Sequence, residues 1–264
     1  MTAPAGTVAL VTGASGGIGL ELARLCAKDG RDVILVARSG DKLMEIAKYL
    51  SGMYGIRVEP VVADLTDPDA PRAIMEEASQ LGLEVDMLIN NAGFGDWGLF
   101  GRADLERQLD MVQVNVAALT ELTRLALPGM IRRRAGRILN VASTAGFAPG
   151  PLMAVYYASK AYVISFSEAI ASELKGTGIT VTALCPGPTR TGFAARAGTA
   201  ETNLFQGPNV MEAAPVAEAG YRGMLRGRTI VIPGFSNQLL IQSIRISPRW
   251  AVRAITRWFQ EGRT

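Results

Sequence analysis

LVTGASGGIG, residues 10–19, follows a run of small and β-branched apolar residues and leads directly into IGLELARLCAKDG, residues 18–30. The chain therefore passes from strand to glycine-rich turn to helix in one short stretch. Gly13, Gly17 and Gly19 lack the Cβ atoms that would hold backbone amides away from a pyrophosphate at a helix N-terminus; Ser15 and Ile18 complete the turn. A glycine turn by itself can be a tight bend and nothing more. Its place between the first strand and the first helix favours a dinucleotide cradle.

Outward from this unit the same alternation continues. Strands are predicted at 7–12, 32–37, 57–63, 85–90, 136–143, 179–185 and 229–233, separated by helical periodicity. Continuously apolar strands between helices imply a parallel sheet covered on both faces. Right-handed crossovers then give a doubly wound α/β fold of seven strands, with its ligand cleft at their carboxyl ends. Neither repeat nor linker divides residues 1–264, so a single dinucleotide-binding domain is expected. It would carry a flap at about 190–212 and an amphipathic tail at about 245–264.

The second strand ends in Ala37-Arg38-Ser39, where a site for NAD would present a carboxylate to the ribose hydroxyls. A guanidinium cannot accept from a hydroxyl but can grip a 2′-phosphate, so Arg38 and Ser39 favour NADP(H) over NAD(H). Arg38 as a solvated strand end is the plain alternative.

Composition excludes more than it assigns. The chain contains no histidine, which removes Ser-His-Asp and Cys-His nucleophiles and every histidine-held metal; no metal site is expected. Cys26 and Cys185 are read as reduced core thiols. A net charge of +3, scattered except near the C-terminus, offers nucleic acid little. The N-terminus lacks the basic start of a signal peptide, and Asn140, Pro149 and Pro151 interrupt the uncharged stretch 138–159, so a cytoplasmic protein is expected. Proton chemistry falls to Tyr, Lys, Asp, Glu, Ser or water.

VYYASKAYVISFSEA, 155–169, sets two tyrosines and a lysine in an otherwise apolar helix. Residues four apart share a helix face, so Lys160 sits with Tyr156 while Tyr157 points about 100° away. A nearby ammonium favours a phenolate and lowers the phenol's pKa.

With TGASGGIG, NNAG at 90–93, Asn115 in QVNVAAL, Ser143 in NVAS, YYASK and PGPTRT at 186–191, the chain resembles the short-chain dehydrogenase/reductase family over nearly its whole length. Details such as NNAGFG resemble the branch of 3-oxoacyl reductases and hydroxysteroid dehydrogenases. The resemblance implies a Rossmann-like fold and a catalytic set of Asn115, Ser143, Tyr156 and Lys160. Tyr156 would exchange the proton at the substrate oxygen, and Lys160 would lower its pKa and bind the nicotinamide ribose. Ser143 would hold the carbonyl oxygen, and Asn115 would fix a relay water. On the cofactor the resemblance places Asp64 and Leu65 at the adenine, and Asn91, Ala92 and Gly93 beside the fourth strand. Pro186, Gly187 and Thr191 would lie near the carboxamide, with Thr189 competing for the threonine position.

The implied substrate is a small apolar ketone or its alcohol, beside Ser143 and Tyr156. Phe94, Trp97 and Phe193 are expected to line its pocket, with Leu99, Phe100, Leu204, Phe205 and Met211 around them. Tyr157 and Tyr162 are read as packing. A non-catalytic dinucleotide sensor or scaffold on the same fold is the alternative of a different class. Family members commonly pair through helices near 104–132 and 153–175, so a homodimer or homotetramer is implied. In the tail, Arg245, Arg249, Arg253 and Arg257 recur every four residues beside a stripe of Trp250, Ala251, Ala254, Ile255, Trp258 and Phe259. Such a helix after Pro248 suits peripheral contact with an anionic membrane. The stripe also suffices for docking on its own domain or a partner subunit, and that reading is preferred.

Overall fold

The computed structural model describes residues 7–207 and 209–261. Outside them lie the N-terminal residues 1–6 of the expected leaderless start, position 208 of the expected flap and residues 262–264 of the expected tail. In chain order the elements are β1 (Val8–Thr12), α1 (Gly17–Lys28), β2 (Asp32–Ala37), α2 (Gly40–Tyr54), β3 (Val58–Val62), α3 (Ala70–Gln80), β4 (Val85–Asn90) and α4 (Leu105–Val112). A π-helical segment, Gln113–Ala118, joins α4 to α5 (Leu119–Arg133), followed by β5 (Gly136–Val141), α6 (Ala154–Glu173) and β6 (Ile179–Leu184). Then come β7 (Thr189–Arg190), α7 (Phe193–Ala197), β8 (Met211–Glu212), α8 (Ala213–Leu225), β9 (Ile230–Val231), α9 (Phe235–Ile246) and α10 (Arg249–Gln260).

Seven strands form one parallel sheet in the order β3-β2-β1-β4-β5-β6-β9. The order reverses direction between β1 and β4, which opens the crevice where such sheets take their ligands. Strand alternation divides the core. Ala9, Val11, Val33 and Leu35 pack with Leu22, Cys26, Leu43 and Val216 on one face. Val8, Leu10, Ile34 and Val36 pack with Ile74, Leu122 and Met130 on the other.

All seven predicted strands are in this sheet; two match to the residue and five are trimmed, the fifth and the last by two residues at their carboxyl ends. The last holds its ladder only at Ile230 and Val231. The fifth ends at Val141 because the chain then peels away: the Thr144 N–H donates to Pro186 O (2.9 Å), and the Ala145 N–H donates to Ser143 Oγ (3.1 Å). The expected flap is not one long loop. It carries α7, and β7 pairs with β8 across its base. Thr199 and Thr202 are buried within it, the Thr202 hydroxyl donating to Thr199 O (2.8 Å).

Candidate active site

The glycine-rich turn meets the end of β4. Thr12 Oγ1 accepts from the N–H groups of Asn91 and Ala92 (both 3.0 Å), and Asn91 Nδ2 donates to Thr12 O (2.8 Å) and Gly13 O (3.2 Å). A Cβ on Gly19 would collide with Asn91 Nδ2 and Gly13 O, and Gly13 itself adopts φ +65°. Both glycines are therefore required by close approach. Gly17, at φ +56°, lies against Thr191, whose Cγ2 would be 3.0 Å from an added Cβ. The competing Thr189 is buried, its hydroxyl donating to Gly187 O (2.9 Å). Thr191 is thus the threonine that faces the turn, and its hydroxyl also accepts from the Phe193 N–H (3.2 Å). Gly187 is packed against Asn237, and the Pro186 carbonyl lies 3.4 Å from Ser143 Oγ.

At the ends of β2 and β3 the expected adenosine residues come together. Arg38 Nη1 stands 3.6 Å from Asp64 Oδ2, both largely exposed. Partial burial opposes ionisation of Asp64, but hydrogen bonds from Thr66 and the charge of Arg38 outweigh it and hold the carboxyl below its ordinary range. Ser39 precedes α2 and accepts from the Leu43 N–H through its carbonyl (3.0 Å). The Leu65 side chain is buried in the core cluster that also holds Val61 and Ile74. Ile18 likewise leans on the core, and Ser15 is half-buried in the turn. Sequence reasoning missed Lys42, whose Nζ lies 3.8 Å from the position of a Cβ on Gly16. No motif marks it; α2 simply returns it to the turn.

The catalytic candidates converge at the carboxyl end of β5. The Ser143 hydroxyl neighbours the Tyr156 phenol and favours its ionised form. Lys160 is buried one turn on; its Nζ donates to Val141 O (2.8 Å) and sits 5.8 Å from the centroid of the Tyr156 ring. Burial pushes Lys160 down to about 8. The expected lowering of Tyr156 by Lys160 is not found. Burial raises the phenol above its ordinary value, and the neighbouring Ser143 hydroxyl offsets this only in part. The ammonium donates to the Val141 carbonyl and adds nothing that lowers the phenol.

Asn115 lies in the π-helical segment, a turn type that often marks functional sites. Its Nδ2 donates to Phe94 O and Ser159 Oγ (both 3.0 Å), and its Oδ1 accepts from the Phe94 N–H (3.1 Å). One Oδ1 lone pair remains for the expected relay water. The side chain is chiefly a brace between the 91–94 loop and α6. Gly93 is enclosed by this arrangement, with Asn115 Oδ1 at 2.9 Å and Lys160 Nζ at 3.3 Å from an added Cβ. Beneath it runs a buried network that the sequence did not disclose. Asn90 Nδ2 donates to Thr123 Oγ1 (3.0 Å) and Asn140 Oδ1 (2.9 Å), and Asn140 Nδ2 donates to Ser167 Oγ (2.9 Å). Two asparagines at the ends of neighbouring strands were the available signal.

The expected aromatic pocket is only partly assembled. Phe193 meets Tyr156 with ring centroids 5.2 Å apart, and Gly95 gives both rings room beside Met153. Phe94 does not join them. It packs against the core cluster that contains Val114, under the Arg107 guanidinium (5.5 Å). Trp97 is an anchor, its indole N–H donating to Gln260 O (2.7 Å). Met211 pairs with Thr189 at the flap base, while Leu99 and Phe100 are exposed. Tyr157 is buried as expected and accepts from Gln260 Nε2 (2.6 Å).

The profile of the family described as short chain dehydrogenase matches residues 7–202. A very-long-chain 3-oxoacyl-CoA reductase of Anas platyrhynchos is 39% identical over 189 residues, which is 69% of this chain and 59% of that protein. The chain thus spans about three fifths of that relative's length. Among solved structures, a short-chain dehydrogenase from Sphingobium yanoikuyae in complex with NADPH is 33% identical with a TM-score of 0.80, covering 92% of this chain and 98% of that one. A bulky-bulky ketone specific alcohol dehydrogenase from Comamonas testosteroni is 28% identical with a TM-score of 0.77, covering 90% of this chain and 92% of that one.

Proposed function

The chain belongs to the short-chain dehydrogenase/reductase family, oxidoreductases that act on carbonyl and alcohol groups, and from that premise we propose an NADP(H)-dependent reductase of apolar ketones. The observation that carries the proposal is the contact of the Ser143 hydroxyl with a buried, protonated Tyr156 phenol, with a lysine cation next to them.

The residues present fit a nicotinamide dinucleotide. Gly13 and Gly19 leave no room for a Cβ at the head of α1, where backbone amides suit a pyrophosphate. Arg38 and Lys42 offer cations on the adenosine side, which supports NADP(H), as does the NADPH complex of the Sphingobium relative. Bound there, NADPH supplies the hydride for the carbonyl carbon. Ser143 and Tyr156, neighbours at the site, would both address the carbonyl oxygen, and Tyr156 would deliver its proton as charge develops there. Burial keeps the proton on the phenol until charge develops at the carbonyl oxygen. The Lys160 ammonium would stabilise the phenolate that proton transfer leaves behind. Asn115 would hold Gly93 and Phe94 so that the loop cannot close over the site.

Phe193, Met153 and Gly95 make the wall nearest Tyr156, and an apolar ketone suits it. The Anas and Comamonas relatives make 3-oxoacyl thioesters and bulky ketones the first compounds to try. On α4, Leu105, Leu109 and Val112 form an exposed stripe at i, i+4 and i+7, a face suited to pairing two copies.

The test is consumption of NADPH by the full chain against 3-oxoacyl thioesters, steroid ketones and aryl ketones. Turnover is expected with at least one class. Tyr156→Phe should lower it by about 10²-fold or more while NADPH binding persists, and Tyr157→Phe should not. NADPH binding without turnover across the panel would leave a dinucleotide sensor instead.

A further inference from the structure

The tail helix was expected to dock by its stripe on its own domain or on a partner subunit; within the chain only Ala251 and Phe259 of that stripe are half-buried. Val252 and Gln260 are its buried residues, and it is held by its carboxyl end: Gln260 Nε2 to Tyr157 Oη (2.6 Å), the Leu204 N–H to Phe259 O (3.0 Å) and Asn203 Nδ2 to Trp258 O (2.9 Å). The rest of the stripe faces solvent, with Trp250 69%, Ile255 53% and Trp258 58% exposed. The preceding helix repeats the arrangement. On α9, Phe235, Leu239 and Ile246 lie at i, i+4 and i+11 and are 74%, 55% and 88% exposed, while Asn237 and Ile241 face inward.

Two consecutive helices joined at Ser247-Pro248 therefore carry outward apolar stripes, and arginines border them. Residues 235–261 contain four arginines and one acidic residue, Glu261, which is paired with Arg257 at 2.9 Å. Among the described residues, Arg245, Arg249 and Arg253 have no carboxylate partner. We propose that α9 and α10 form a docking face for an anionic lipid surface, on which both helices lie in the interfacial plane.

Charge decides the occupant. A second copy docked through the same face would set each arginine row against its twin with no free carboxylate to meet it. Lipid phosphates and carboxylates supply that charge, tryptophan suits the headgroup level, and the apolar stripes enter the acyl boundary. No helix of the described residues is long and apolar enough to cross a membrane, so the contact would be peripheral. The face adjoins the substrate side, because Gln260 bonds both Trp97 and Tyr157, and Tyr157 borders Tyr156. An apolar substrate dissolved in the bilayer would then lie next to the entrance. The proposal is independent of the assigned reaction, since lipid binding is read without turnover.

The experiment is flotation of the full chain with phosphatidylcholine vesicles, with and without phosphatidylserine. Binding is expected only to the serine-containing vesicles and should weaken with added salt. Arg249→Gln with Arg253→Gln should lower the partition coefficient about 25-fold, at about fivefold for each basic residue near an anionic surface. Trp250→Ser with Trp258→Ser should lower it about tenfold or more, with the apolar anchor gone. Both pairs should keep the circular dichroism spectrum of the parent. Absence of binding, equal binding to both vesicle types, or unchanged binding of both variants would overturn the proposal. So would a parental dimer in sedimentation velocity that the tryptophan pair dissociates, which would assign the face to a second copy.

Discussion

The sheet holds a buried cation at each end, and they are treated in opposite ways. At the amino end Arg31 precedes β2 and pairs with Asp86 of β4 at 2.9 Å, while the other oxygen of Asp86 accepts from the Val8 N–H (2.8 Å). At the carboxyl end Lys160 has no carboxylate and only the Val141 carbonyl. Burial pushes the Asp86 carboxyl up despite Arg31, yet the pair neutralises itself and ties three elements together. Lys160 is pushed down to about 8 because nothing repays its desolvation. One buried charge is matched by a carboxylate; the other meets only a neutral carbonyl.

Lys160→Met breaks this contrast most sharply. Removing the ammonium should cut turnover by about 10²–10³-fold, while thermal stability stays level or rises, since an uncompensated buried charge disappears. Parallel measurement of kcat and Tm checks it; a large loss of Tm would make Lys160 a structural residue. Arg31→Met should do the reverse. It strands Asp86 and should cost about 3–5 kcal/mol of stability in denaturant titration, with kcat below the melting range nearly unchanged.

The pH dependence sharpens the same comparison. Above about 8 Lys160 loses its proton, so a rate that needs the ammonium should fall toward tenfold per pH unit. Stability should move the other way. The folded lysine is depressed below its unfolded value of about 10.4, so between these values the unfolded chain binds more protons and the folded state gains as pH rises. Both slopes should vanish in Lys160→Met, and persistence of the rate slope would assign it to another group. The smallest effect is expected at the exposed Arg38, where Arg38→Ala should raise KM for NADPH about tenfold and leave kcat alone. An equal effect with NADH would remove the 2′-phosphate assignment.

These contrasts separate what was legible in the chain from what was not. Strand positions were readable because the central strands are buried on both faces, so their apolar runs are nearly continuous: 85–90 and 32–37 match to the residue. The meeting of Ser143, Tyr156 and Lys160 was legible through motif order, and Tyr156 over Tyr157 through helix periodicity. The phenol's pKa was not, because spacing along a helix fixes which face Lys160 shares but not where its ammonium points. Phe94 and Trp97 misled for a related reason. In NNAGFGDW a loop aromatic can turn to the core, to a guanidinium or to solvent, and composition is the same in each case. Thr189 and Thr191 were separable only once β7 had paired with β8.

The sequence by itself determined the layered sheet, the glycine cradle and the candidate phenol beside Ser143, since these follow from periodicity, missing Cβ atoms and residue type. Tertiary structure alone decided the direction of that phenol's pKa, the brace made by Asn115, and which face of the tail helix turns outward. Each of those depends on desolvation and on partners far apart in the chain, such as Gln260 with Tyr157. An amphipathic pattern announces that a helix has two faces; only the surface packed against it settles which one is left for a neighbour.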